Sequence, residues 1–462
     1  MTVISIAGSS GVGKTTLART LSLFFGDEKC CCISGDDLHL WKRGDENWKS
    51  YTHLHPDANN LLLGETHIEK LRSGSSIERS LYDHDTGDFL PPQRIQPKEW
   101  IIYEGLHALY GNAANLADIK IFIETDNDLN VEWKVKRDVS KRGYTKKQVL
   151  DIISSRKNDE MNYISPQKKS ADVVVKFEKS GSKVSLSYDC INPIFESLMC
   201  KVKKFYDTMN DFLLLCKKIS LEPSLVQGKG GNISAKLDNL ILVTSSGCSL
   251  SDVNINHGFC VCDLTREIST IDEDNFINSL RKSKISGYTQ PSMELGLHKI
   301  TQHKFSVHTH PLHLNTILCS QESKSVLEKI FANLRYDYVD YSAPGLNLFL
   351  AYKGRSHIAM LENHGLIVSG DSEIEVYETT SLIDQTVKNW IADNSEIFVD
   401  TPPNFEEGFL FPDAAVFPKE MSTLNQQIMC GIRSLGLTPR SLSRDDIDYI
   451  VNMKAERDRK TA

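Results

Sequence analysis

Three histidines near the middle of this 462-residue sequence carry the most specific chemistry in it. His308 and His310 sit one residue apart in FSVHTHPLH, and alternation along a strand turns both rings to one face. His364 follows an apolar run in AMLENHGLIVSG, where a turn is expected. Three imidazoles, with the Glu294 carboxylate upstream in PSMELGLH, make a donor set for Zn²⁺ or a similar ion, with coordination positions left open for substrate. A His-x-His pair alone is also what an exposed strand shows; three separated segments pointing to one ion is the more specific pattern. His298, His303, His313 and His357 read as structural. Upstream, QGKGGNISAK and the Thr244-Ser245-Ser246-Gly247 turn offer backbone N–H groups and small hydroxyls, which together suit an anion.

A second constellation lies at the start of the chain. VISIAGSSGVGKTT, residues 3–16, reads as a buried strand, a glycine-rich turn and the first turn of a helix. Gly8, Gly11 and Gly13 allow backbone N–H groups to approach phosphate oxygens. Lys14 would reach the β- and γ-phosphates of ATP, Thr15 would hold Mg²⁺, and Thr16 completes the nucleotide-binding set. CCCISGDDLHLW ends a second apolar strand on Asp36 and Asp37; one of them suits a general base for an attacking hydroxyl, and the other a turn cap. Glu104 ends a third apolar strand in EWIIYEGLH, an acid suited to the metal. KVKRDVSKRGYT, residues 134–145, has the composition of a basic helix closing over nucleotide phosphates.

The elements that must position these groups follow an α/β pattern. The first part reads as a mostly parallel sheet with helices on both faces, closed by SPQKKSADVVVKF and a hairpin around Ser-Gly-Ser. Positions 191–219 read as one or two amphipathic helices, which puts the boundary between residues 1–205 and 206–462. The tail from about residue 400 reads as two helices with a charged end. Composition adds bounds: 40% hydrophobic and 25% charged residues describe a soluble globular chain. A net charge of -8 gives no electrostatic reason to expect nucleic acid, and no apolar run reaches membrane-spanning length. Eleven cysteines without a CxxC pair, and a start directly on a core strand, point to free thiols, no cleavable leader and a cytoplasmic setting.

Over roughly the first 180 positions these motifs resemble the phosphoribulokinase/uridine kinase family. The resemblance implies a P-loop kinase fold, ATP and Mg²⁺ as cofactors, and Asp36, the first acid of GDDLHLWKR, as catalytic base. YEGLH places Glu104 near the metal, and RD with RGYT implies that Arg137, Asp138 and Arg142 belong to a lid. His39, Arg43, Tyr82 and His84 fall where phosphoribulokinases contact the sugar. His39 stands where uridine kinases usually carry Tyr, which favours a sugar over a nucleoside. Leu40 and Trp41 depart from the family's Arg-Phe pair.

Roughly residues 206–400 resemble the class II aldolase/adducin family, which implies an α/β/α domain. His308, His310 and His364 then inherit the metal. Asn232, Ser245, Ser246, Gly247 and Ser292 match the phosphate-binding positions, and Glu294 matches the aldolases' acid/base. Met293 departs, standing where the aldolases usually carry a second Ser. Joined, the two halves imply a bifunctional enzyme that phosphorylates a sugar, a ketose or a near relative, and cleaves a ketose 1-phosphate to dihydroxyacetone phosphate and an aldehyde. A homo-oligomer acting on small molecules is expected, with neither nucleic acid nor membrane as partner. The rival readings are a nucleoside-type kinase joined to a sugar-phosphate epimerase or dehydratase, and an adducin-like scaffold, which would lack the metal.

Overall fold

The computed structural model describes residues 1–181, 183–395 and 408–461. Contacts divide the chain into two compact units, Met1–Asp207 and Thr208–Ala462.

In the first unit, strands β1 (Thr2–Gly8), β2 (Cys30–Ser34), β3 (Trp100–Gly105), β4 (Ile119–Thr125), β5 (Val173–Ser180) and β6 (Lys183–Cys190) form one sheet in the order β6-β5-β4-β1-β3-β2. All neighbours are parallel except the β5–β6 hairpin. Parallel strands covered on both faces read as unbroken apolar runs, and β1 is buried from Val3 onward. Val3, Ile101 and Tyr103 pack with Ile68 and Leu71 of helix α2 (Leu61–Arg72). In β2 the free thiols of Cys30 and Cys31 are buried, whereas Cys32 is exposed. Parallel order brings the carboxyl ends of β1, β2 and β3 to one edge, with Ser34 in register with Glu104.

The second unit is built on a mixed sheet. Its strands are β7 (Asn232–Leu237), β8 (Leu240–Thr244), β9 (Phe259–Asp263), β10 (Lys284–Gly287), β11 (Phe305–Thr309), β12 (Asp337–Val339), β13 (Ile358–Leu361) and β14 (Gly365–Gly370). They run in the order β10-β9-β8-β7-β11-β14-β13-β12, antiparallel apart from β12–β13. Register does the positioning here: Asn232 pairs with His308 across β7–β11, and His308 with Ile367 across β11–β14. The tip of the β13–β14 turn carries His364, with Asn363 in a left-handed conformation (φ 52°) before it.

The expectation of two tail helices is corrected. Residues 408–461 form four: Pro412–Val416, Ser422–Ser434, Arg444–Asn452 and Lys454–Thr461. Pro412 opens the first in its first turn, and Ser443 caps the third by accepting from the Asp446 N–H. Three of the four have only five to nine residues, too few to show an apolar period of their own. Residues 396–407 of that tail lie outside the described residues. No helix among the described residues is long and apolar enough to cross a membrane.

Candidate active sites

The first site follows from how β1 hands over to helix α1 (Lys14–Phe25). Gly11 and Gly13 hold φ of 82° and 100°, and Gly13 is the residue that caps α1. A Cβ on Gly11 would lie 2.6 Å from Lys134 Cγ, and one on Gly13 would lie 2.7 Å from the Phe177 ring. Glycine is needed there for both conformation and space. Lys14 Nζ donates to the Gly8 and Ser9 carbonyls at 3.0 and 2.8 Å. Thr15 and Ser34 both donate to Glu104 Oε1, at 3.2 and 3.3 Å. Burial pushes the Glu104 carboxyl up, against the pull of Lys14. Gly11, Gly13, Lys14, Thr15, Thr16, Asp36, Glu104 and Arg137 line one cavity. An α1 N-terminus, a lysine and two acids are a fitting cradle for a nucleoside triphosphate, and Thr15 and Glu104 are the groups that would hold its Mg²⁺.

The two adjacent acids separate. The Asp37 side chain, 8% exposed, takes Arg79 Nε at 3.0 Å and accepts from the Tyr82 N–H, so it braces the loop. Asp36 faces the cavity with its side chain 34% exposed and receives His84 Nε2 at 3.2 Å. Burial alone would raise the Asp36 carboxyl, but the His84 hydrogen bond, His39 and Lys14 outweigh it and hold Asp36 below the usual carboxylate range. Arg142 Nη2 lies 3.1 Å from His84 Nδ1, and since a guanidinium only donates, neutral His84 carries its proton on Nε2, toward Asp36.

The remaining predicted residues divide between direct and supporting places. Arg137 and Arg142 both grip Asp138, at 2.8 and 3.3 Å. Arg43 donates to the His84 and Asp85 carbonyls and braces the loop that carries His84. His39 is buried, bonded to Asn59 at 2.7 Å, with its ring edge-on to Tyr82. Sequence reasoning treated Lys134 only as part of a basic helix. The structure packs its stem on Gly11, and burial brings its pKa down to about 8.

The second site is deeply buried. His308 Nε2 and His310 Nε2 are 3.0 Å apart, and one nitrogen from each of His308, His310 and His364 falls within 4.8 Å of the others. Each of the first two rings has a pure acceptor on its other nitrogen: Leu366 O at 3.1 Å from His308 Nδ1, and Asp413 Oδ2 at 3.2 Å from His310 Nδ1. Both Nδ1 atoms therefore carry the proton, and two Nε2 lone pairs face one another, an arrangement a cation resolves. Burial keeps His308 neutral, with its pKa brought down to about 3. His364 Nδ1 is buried without a hydrogen-bond partner among the described residues. Such a donor set fits a divalent ion of the zinc type.

Glu294 joins the histidines, with Oε1 3.2 Å from His364 Nε2 and Oε2 3.5 Å from His308 Nε2. Burial would raise this carboxyl; hydrogen bonds from the His364 ring and the Asn232 amide are set against that and hold it well below the usual range. Asn232 donates to Glu294 Oε2 at 2.6 Å, and its own carbonyl faces His298 Nε2. His298, bonded in turn to Ser234, thus fixes the Asn232 amide. Gly365 lets the β14 turn close on β11, since a Cβ there would run into the Thr309 carbonyl.

Asn232, Ser245, Ser246, Gly247 and Ser292 line the cavity beside these groups. Ser292 Oγ accepts the Glu294 N–H at 3.2 Å, and Ser245 Oγ lies 3.4 Å from Cys260 Sγ. Those two hydroxyls therefore have partners within the protein. Lys229, Asp413, Glu456 and Arg459 also line the cavity, and sequence reasoning missed all four. Lys229 lay in the QGKGG turn already singled out; the other three lie in the tail, where no motif marks them.

A P-loop cradle on a parallel sheet and a three-histidine centre on a mixed sheet define a kinase-type unit and a class II aldolase-type unit. Residues 3–182 match the phosphoribulokinase/uridine kinase family, and residues 210–391 match the class II aldolase and adducin N-terminal domain. The chain belongs to the phosphoribulokinase/uridine kinase family through its first unit, fused with a class II aldolase/adducin domain. It is 38% identical over 174 residues to a phosphoribulokinase of Synechocystis sp., covering 37% of this chain and 52% of that protein. To a uridine kinase of Brevibacillus brevis it is 31% identical over 181 residues, covering 37% of this chain and 83% of that one. The chain spans about half the length of the phosphoribulokinases it matches. It is also similar to the N-terminal class II aldolase domain of a conserved protein from Thermoplasma acidophilum, with 24% identity, a TM-score of 0.36, and coverage of 39% of this chain and 92% of that one.

Proposed function

We propose that this chain is a bifunctional enzyme that phosphorylates a ketose with ATP and interconverts a ketose 1-phosphate with dihydroxyacetone phosphate and an aldehyde. The observation that carries the reading is Glu294, buried in ion-pair reach of two of three convergent histidines, in a chain that also holds a P-loop with Asp36 at its edge. Residues 1–205 serve as the kinase part and 206–462 as the aldolase part.

In the kinase part, Asp36 accepts the proton of the sugar hydroxyl as its oxygen attacks the γ-phosphorus and the bond to ADP breaks. An acid held ionised is a weak base, but phosphoryl transfer asks for orientation more than base strength. Lys14 and Arg137 balance the charge on the phosphates. The phosphoribulokinase relatives and His39 support a sugar as the acceptor.

In the aldolase part, a zinc-type ion held by His308, His310 and His364 would supply Lewis acidity for the substrate carbonyl. Glu294, already ionised, takes a proton from the hydroxymethyl carbon of dihydroxyacetone phosphate. The electron pair left on that carbon forms the new bond to the aldehyde carbon, the resulting alkoxide takes a proton from solvent, and Glu294 gives its own proton up to solvent. Cleavage is the reverse. Asn232 holds the Glu294 carboxylate in place, while Ser246, Gly247 and Lys229 receive the phosphate.

Incubating the chain with ATP, Mg²⁺, Zn²⁺ and a panel of ketoses, following ADP and dihydroxyacetone phosphate, tests both halves. Both products are expected from at least one sugar. ADP with sugar-phosphate epimers in place of an aldehyde would replace the aldolase by an epimerase, and neither product, with no bound metal, would leave a scaffold.

A further inference from the structure

Two buried carboxylates of the tail, Asp413 and Glu456, and the nearly covered Arg459 line the cavity of the metal histidines. Asp413 is 4% exposed and sits in the short helix that follows the undescribed residues 396–407. Its Oδ2 lies 3.2 Å from His310 Nδ1, and its Oδ1 takes Arg459 Nη1 at 2.6 Å. Arg459 is tied down in turn. It meets Glu456 Oε2 at 3.4 Å, donates to the Lys229 carbonyl at 2.9 Å, and lies over the Phe417 ring. The chain folds closely around the pair: a Cβ on Gly230 would come within 3.0 Å of both Asp413 Oδ2 and His310 Nδ1. Asn363, beside His364, donates to the Leu410 and Arg440 carbonyls and so fastens the same tail to the histidine turn. The match to the aldolase family ends at residue 391, before either Asp413 or Arg459.

We propose that Asp413, held by Arg459, is a positioning residue that makes His310 a metal ligand, so that the tail completes the metal centre. The inference rests on the metal-binding reading given above. Asp413 accepts the Nδ1 proton of His310, which fixes the tautomer, aims the Nε2 lone pair at His308 and His364, and makes the imidazole a better donor. His308 gets the same service from the Leu366 carbonyl, within the sheet. One ligand is thus oriented by the sheet and another by a segment about 100 residues further along. Arg459 holds the carboxylate against rotation and prevents it from being an uncompensated buried charge.

The test measures metal binding by the full chain directly, without an activity assay. Metal-free wild type, Asp413→Asn, Asp413→Ala, Asp413→Glu and Arg459→Met are titrated with Zn²⁺ against a chromophoric chelator, and the Co²⁺ forms are compared by visible absorption. Asp413→Asn keeps an acceptor oxygen and should weaken binding about tenfold; Asp413→Ala should weaken it up to about 100-fold. The Co²⁺ bands should shift in both, while far-UV circular dichroism stays as in wild type. Asp413→Glu should recover part of the loss, and Arg459→Met should fall between Asn and Ala. Unchanged affinity and spectra in Asp413→Asn and Asp413→Ala overturn the inference. So does an affinity loss with the wild-type Co²⁺ spectrum, which is the pattern of general loosening. If Asp413→Ala fails to fold, Asp413→Asn and Asp413→Glu decide alone. Wild type that binds neither ion refutes the metal reading itself, a different outcome from variants that bind as well as wild type.

Discussion

The two sites are assembled in opposite ways. The kinase site takes its cradle from one unbroken stretch, residues 8–16, and adds acids from the ends of two neighbouring parallel strands. The histidine site draws on Asn232, Glu294, His308, His310, His364, Asp413 and Arg459, spread over 228 positions. Its groups meet through antiparallel register and a tail folded back onto the sheet. The first site is half open and rich in cations, and its acid Asp36 keeps a third of its side-chain surface exposed. In the second, Glu294 and the three histidines are each less than a tenth exposed. A contiguous site depends on local backbone conformation, and a dispersed one depends on everything that holds its segments in register.

The largest effects should come from removing one essential group at each site. Lys14→Ala should cut phosphoryl transfer about 10³-fold by withdrawing a charge from the γ-phosphate, with Zn²⁺ content unchanged by elemental analysis. His364→Ala should do the converse: metal is lost, and ADP formation continues. A single substitution that abolished both would break the comparison, because it would mean that the sites are not separately built. Next come the proton-transfer groups. Asp36→Asn should lower the phosphorylation rate about 10²–10⁴-fold with ATP binding retained. A normal rate in that variant would remove Asp36 as the base.

Gly13→Ala should weaken ATP binding more than it weakens stability, since it both strains φ and pushes on Phe177. Equilibrium dialysis against urea unfolding separates the two. The smallest effect expected concerns pH. Burial brings the pKa of His298 down to about 4, below its unfolded value near 6.5. Under pH 6.5 the unfolded chain binds a proton that the folded one refuses, so the stability from this group is complete above pH 6.5 and drains away as pH falls toward 4. Urea unfolding of the metal-free protein should show a loss on the order of 1–3 kcal/mol over that window, shallower in His298→Gln. A flat profile would show that His298 is not held neutral.

Legibility in the sequence follows the same division. A P-loop is readable because its function is its local conformation: the glycine spacing, the lysine and the helix start are all adjacent in sequence. The Asp36/Asp37 pair showed an acid at a strand end, but only the structure shows Arg79 claiming Asp37 and leaving Asp36 to the cavity. His308 and His310 were readable from strand alternation, and Asn-His-Gly from the tight turn it makes. Asp413 and Arg459 were not, because an Asp after a Pro and an Arg in a charged end look like any surface pair. Their meaning comes from tertiary packing across some 50 to 150 residues. The division of the tail into four short helices was hidden for a related reason, since caps and prolines, more than apolar period, set their ends.

The central claim is that Glu294 moves a proton beside a histidine-bound ion, and one measurement addresses it without knowledge of the natural aldehyde. The full chain, loaded with Zn²⁺, is added to dihydroxyacetone phosphate in D₂O, and the hydroxymethyl protons are followed by NMR. The account predicts exchange at one of those two protons. It also predicts that Glu294→Gln slows the exchange by two or more orders of magnitude with metal content intact. Wild type carrying about one ion per chain yet showing no exchange, or Glu294→Gln exchanging as fast as wild type, would contradict it.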